Sequence, residues 1–275
     1  MEQEKAKKAA VTPGWLWSHT ANQALLFLTV GLASIALQRP GYFMPVSVTW
    51  LAIALLGLVV LLMLYGMMRK NVSYVWWEAV LLLMAYGGIW VLFLAIFPSW
   101  LAVMVAAALT ILPFFLPLTL VSNLTMIVGT AGVGLLVAMY FPVQVLLVCA
   151  AGVAAYEHFR AKGADMATLL SEAWHAGVVP GLLVPTSPRG WLKGIGETWQ
   201  PGQGVVAGFL PFMCAAGMGY VAVHKGYILF LGFSLATVMM SALMGRGPHG
   251  VLRWWAFPTA AAISFAAIVL GSALV

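Results

Sequence analysis

Long apolar runs, interrupted at intervals by proline, glycine or a charge, set the pattern of this chain. A helix needs about 20 apolar residues to cross the hydrocarbon core of a bilayer. Runs of roughly that length fall at about 21–38, 45–68, 74–97, 99–120, 122–141, 142–158, 202–222, 226–244 and 254–275. They predict an all-α chain of about nine transmembrane helices. Only Ser122-Asn123 and Phe141-Pro142 separate the fourth, fifth and sixth runs, so about eight spans is the other reading. The longest stretch that does not read as membrane is the linking segment at about 159–201. Met166, Leu169, Leu170 and Trp174 share a helical face in its first part, which predicts an amphipathic helix over Asp165 to His175. Its second part, Val178 to Arg189, is broken by prolines and is expected to be extended or irregular.

Composition fixes the class. Hydrophobic residues make up 63% and charged residues 7% of the 275, and mean hydropathy is +1.02. A soluble domain carries about 25% charged residues. The expectation is one polytopic transmembrane domain over 1–275, placed in the cell membrane. Lys5, Lys7 and Lys8, then Arg69 and Lys70, then Arg160, Lys162, Arg189 and Lys193, then Arg246 and Arg253 fall in alternate loops. By the positive-inside rule these loops and the tail 1–20 are cytoplasmic. The net charge of +6 therefore points to topology and an anionic lipid bilayer, not to nucleic acid.

The five histidines stand singly, without metal-ligand spacing, so neither a metal nor another cofactor is expected. The two cysteines, Cys149 and Cys214, lie in apolar runs and read as buried side chains. Gly129, Gly132, Gly134, Gly217 and Gly219 read as surfaces for close helix packing. Asn123 and Gln144, polar within apolar context, are candidates for bonds between helices.

Only 7 residues are acidic. Two of them, Glu157 and Glu197, border apolar runs, where a carboxylate is costly and is by default a functional candidate. Two carboxyl groups that share a proton can divide the labour of hydrolysis, one activating water and the other polarising the scissile carbonyl. Each glutamate also has a simpler reading. Glu157 ends a helix beside His158, Arg160 and Lys162, and Glu197 is a surface partner for Lys193 at i,i+4 spacing, worth about 0.3 kcal/mol.

Tyr156-Glu157, the linking segment Lys162 to Pro185, and Gly194-Ile195-Gly196-Glu197 followed by Pro201 form a longer pattern. Over about 120–201 this pattern resembles the presenilin and signal-peptide-peptidase family of intramembrane aspartyl proteases, especially its prokaryotic members. That family has nine spans, a Tyr-Asp pair on the sixth, Gly-x-Gly-Asp on the seventh and a Pro-Ala-Leu motif near the ninth. The resemblance implies a presenilin-like bundle in which Glu157 and Glu197 form the catalytic pair. Tyr156, Gly194, Gly196 and Pro258 would support it, and a transmembrane helical substrate would unwind and add as a strand beside Val178 to Val184.

The chain departs from the family at three places. Both aspartates are glutamates, one methylene longer, where catalytic geometry tolerates about 0.5 Å. Pro258-Thr259-Ala260 and Pro248-His249-Gly250 compete for the place of Pro-Ala-Leu. A pseudoprotease that binds membrane helices without cutting is therefore the alternative, and a small ion- or proton-coupled transporter is a third reading.

Overall fold

The computed structural model describes residues 13–37, 46–68, 74–142, 144, 145, 148, 182–198, 204–206 and 210–244. The elements in chain order are α1 (Pro13–Leu37), α2 (Val46–Met68), α3 (Tyr74–Leu94), α4 (Ser99–Phe115), α5 (Thr119–Tyr140), β1 (Leu183–Pro185), a 3₁₀ turn (Pro188–Leu192), the one-turn α6 (Ile195–Thr198), β2 (Gly204–Val206), α7 (Leu210–His224) and α8 (Tyr227–Met244). These residues are mostly helical, in line with the all-α expectation, apart from the short strands β1 and β2. Five of the apolar runs are helices whose starts agree to within about one turn.

Two starts differ. α1 begins at Pro13, because proline is tolerated in a first helical turn, where its missing N–H has no partner to lose. The run expected as a helix from about 202 contains strand β2 at Gly204–Val206 ahead of helix α7 at Leu210–His224. The expected span 254–275, most of 142–158 and the amphipathic helix 165–175 lie outside the described residues. Among the described residues one helix, α5, is long and apolar enough to cross a membrane by length and composition.

α5 is the centre of the bundle and touches α1, α3, α4, α7 and the 3₁₀ turn. It can do so because its surface is small on two sides. A Cβ added at Gly129 would lie 2.6 Å from the Ala85 Cα, and Gly88 and Gly132 press on each other's helix at backbone carbonyls. On another side a Cβ at Gly134 would lie 2.6 Å from the Ala215 carbonyl carbon, and one at Gly219 would lie 3.3 Å from the Ala138 Cβ. The pairs Ala85–Gly129 and Gly88–Gly132, then Gly134–Ala215 and Ala138–Gly219, advance in the same direction along the chain, so α3, α5 and α7 run parallel. The expected packing role thus holds for Gly129, Gly132, Gly134 and Gly219.

Proline stands inside α4 and just beyond the end of α5, and each carbonyl it leaves without a donor is served from a neighbour. Pro113 cannot donate to the Leu109 carbonyl one turn earlier, and the Thr125 hydroxyl of α5 donates to it instead, at 3.2 Å. Pro142 likewise leaves the Ala138 carbonyl without its helical donor, and His224 Nε2 lies 2.9 Å away. A carbonyl only accepts, so that ring nitrogen carries the hydrogen. The turn between α7 and α8 closes on Gly226, whose φ of +88° favours glycine.

α1 reverses the usual polarity of a surface helix. Its buried stripe contains Ser18, Asn22, Gln23, Leu26, Val30 and Ser34, while Trp17, Leu28, Leu32 and Ile35 face outward, Leu32 being 68% exposed. Phe27 stacks on Phe230 of α8 at a centroid distance of 4.9 Å and helps fix α8 to this helix.

Gly132→Val is expected to destabilise the fold by about 3 kcal/mol, because the new side chain meets helix backbone that cannot yield. Gly57→Ala, where a Cβ would meet nothing within 4 Å, is expected to stabilise it by about 0.5 kcal/mol through helix propensity. Equilibrium unfolding of the two variants against the parent checks both signs.

Candidate functional site

The most polar part of the interior surrounds an extended segment. β1 and β2 pair antiparallel, with Leu183 opposite Val206, Val184 opposite Val205 and Pro185 opposite Gly204. Leu182, Leu183 and Val184 are almost completely buried. A buried strand must still satisfy the peptide groups that point away from its partner. Here a side chain does so. Asn123 Oδ1 accepts the Leu183 N–H at 2.8 Å, and Asn123 Nδ2 donates to the Leu183 carbonyl at 2.6 Å. A primary amide carries a donor and an acceptor side by side, so it fills both positions that a neighbouring strand would fill.

Asn22 completes the arrangement from α1. Its Nδ2 donates to the same Leu183 carbonyl at 3.2 Å, and its Oδ1 accepts from Asn123 Nδ2 at 3.3 Å. The next residue, Gln23, is 1% exposed, and neither of its amide atoms has a hydrogen-bond partner among the described residues. Asn123 was expected to bond between helices, and it does. Asn22 and Gln23 went unnoticed, although an adjacent Asn-Gln pair inside an apolar helix is the same kind of signal. Gln144, also expected to bond between helices, is exposed.

Below the strand, the chain from the 3₁₀ turn to α6 is fastened to the N-terminal ends of α1 and α5. The Thr119 N–H, left over at the start of α5, donates to the Lys193 carbonyl at 3.0 Å. The Thr119 hydroxyl lies 2.9 Å from the Thr198 hydroxyl, which donates to the Gly190 carbonyl at 3.0 Å. Trp191 Nε1 donates to Ser18 Oγ at 3.2 Å. The Ile195 N–H reaches the Pro117 carbonyl at 2.9 Å beside an antiparallel bridge between Leu118 and Gly194.

The predicted site residues divide accordingly. Glu197 lies in α6 with its side chain exposed. Gly194 forms the bridge to Leu118, and a Cβ there would meet only the Pro117 carbonyl at 3.8 Å; at Gly196 it would meet nothing within 4 Å. Tyr156, Glu157 and Pro258 lie outside the described residues. No ion pair joins Lys193 to Glu197 among the described residues. Nor does any group of three His, Cys, Asp or Glu residues among them stand ready to hold a metal. What the described site can do chemically is hold a peptide backbone by its N–H and C=O, through neutral amides.

Asn123→Ala is expected to cost about 3 kcal/mol, because it leaves the buried Leu183 N–H without its acceptor and weakens the carbonyl's bonding. Asn22→Ala is expected to cost about 1 kcal/mol, because Asn123 still serves that carbonyl. Unfolding free energies, together with hydrogen exchange at the Leu183 amide, separate the two: only the Asn123 variant should lose protection there. Compared with known proteins, the chain matches no family model, no curated protein and no solved structure.

Proposed function

We propose that this chain is a polytopic membrane protein of about nine spans with a presenilin-like bundle, its N-terminus cytoplasmic. Its inverted polarity supports the membrane placement. Trp50, Leu51, Leu58 and Leu61 of α2 and Ile228, Leu231, Leu235 and Met239 of α8 face outward, as do Trp17, Leu28, Leu32 and Ile35 of α1. Trp50 is 66% and Ile228 86% exposed. Asn22, Gln23, Ser34, Thr119, Ser122, Asn123, Thr130 and Ser234 face inward. Water-soluble proteins rarely expose apolar patches beyond a few hundred Å². Lipid reverses that preference and places hydrogen-bonding side chains between helices.

Within that architecture we propose that the protein binds transmembrane helices without hydrolysing them. One observation carries this choice: of the segment at which a substrate would add, 178–181 lie outside the described residues, and the strand at its described end is already paired on both edges. Val184 faces β2, the peptide groups of Leu183 are taken by Asn123, and Pro185, next along that outer edge, has no N–H to offer. The exposed position of Glu197, on a one-turn helix well before α7 begins, points the same way. The competing reading is a protease in which an ionised glutamate of the pair Glu157 and Glu197 draws a proton from water while the protonated one polarises the carbonyl.

The decisive experiment uses the full chain reconstituted in bilayers with a model transmembrane substrate. Crosslinking of the intact substrate, with no product after long incubation, is the expected result. Cleavage that disappears in Glu157→Gln and in Glu197→Gln separately would establish the protease instead.

A further inference from the structure

Arg189, Leu192 and Lys193 are exposed on a segment that the fold holds rigidly. Leu192 is 70% exposed, although Gly190, Lys193 and Ile195 around it are bonded into the frame. The Trp191 bond to Ser18 and the contact of Gly190 with Pro185, where a Cβ would stand 2.5 Å from the Pro185 Cβ, fix the turn to the base of α1 and to β1. Pro117, joined to Ile195, follows Phe115 and Leu116, which are 78% and 48% exposed. Apolar side chains and two cations thus project at one end of the bundle, where α1 and α5 begin. That combination matches the boundary between acyl chains and anionic headgroups.

From this juxtaposition we propose that the turn Pro188–Leu192 and the end of α4 form an interfacial collar selective for anionic phospholipid. Leu192, Phe115 and Leu116 enter the outer acyl region, and Arg189 and Lys193 meet the headgroup phosphates. The proposal rests on the membrane reading above. Glu197 is exposed close by, so its carboxylate opposes anionic lipid and sets the preference below what two free cations would give. The collar also places Glu197 at headgroup depth.

The test uses the full chain in nanodiscs of phosphatidylcholine with and without phosphatidylglycerol, followed by native mass spectrometry of the lipid retained during stepwise delipidation. The parent should retain phosphatidylglycerol preferentially. Arg189→Gln with Lys193→Gln should lower that preference by about thirtyfold if each cation acts at full strength near the surface. Glu197→Gln should raise it. A probe on Leu192→Cys should be quenched by acyl-chain bromines more than by aqueous iodide. Unchanged lipid preference in the double variant, or stronger quenching by iodide, would overturn the collar. Failure of the parent chain to float with liposomes would instead overturn the membrane reading on which it stands. The side chains concerned are exposed, so unchanged unfolding midpoints should accompany the lipid effects.

Discussion

Every peptide group inside this bundle must find a partner, and the places where helix geometry cannot supply one organise the rest. The constraint is severe in a helical interior, where an unpaired N–H or C=O costs about 1–3 kcal/mol. Among the described residues, three side chains answer such places. Thr125 serves the carbonyl freed by Pro113, His224 serves the one freed by Pro142, and Asn123 serves both peptide groups of Leu183. Each answer comes from an element other than the one that needs it, so each also joins two elements. Thr125 ties α5 to α4, His224 ties α7 to α5, and Asn123 with Asn22 ties β1 to α5 and α1. The irregular backbone is thereby part of what fixes the helices relative to one another.

Glycine packing makes those bonds possible. The short reach of Asn, Thr and His requires helix backbones to come close, and α5 has small residues towards both α3 and α7. Ala85 and Gly88 meet Gly129 and Gly132, while Gly134 and Ala138 meet Ala215 and Gly219. At such distances dispersion acts between backbones, and no hydrophobic driving force is needed to hold helices together in lipid. Larger residues at these positions would separate α5 and α7 and draw His224 away from Ala138.

Much of this was legible in the sequence, and the misses share a physical cause. The helices 46–68, 74–94 and 99–115 were marked by flanking prolines, glycines and charges, and the small-residue spacing of α5 announced its packing. The extended and irregular backbone at 182–189 was readable from its prolines. Strand β2 was not, because a short apolar run bounded by glycine fits a buried strand or a helix end equally well, and only the partner strand decides. Asn22 and Gln23 carry no charge and so do not break the apolar run. Neutral amides inside an apolar run leave mean hydropathy almost unchanged, yet they carry the interior here. Glu197 stands out in the sequence through its motif, and the fold places its side chain outside.

This contrast between amide and carboxylate also bears on function. A charged group in a low-dielectric interior has to be paired or neutralised, whereas an amide can be buried if its donor and acceptor are both used. Asn123 meets that condition by gripping a peptide group, and Asn22 extends the grip. A site built in this way recognises backbone geometry and is indifferent to side-chain identity. It suits holding an extended segment at one register, and it offers no group that can take a proton from water. With the chain's own strand seated there, chemistry at Leu183 would need this clamp to open and an acid to enter. Glu197 is exposed on α6, which the Thr119 and Thr198 contacts fasten to the base of α5.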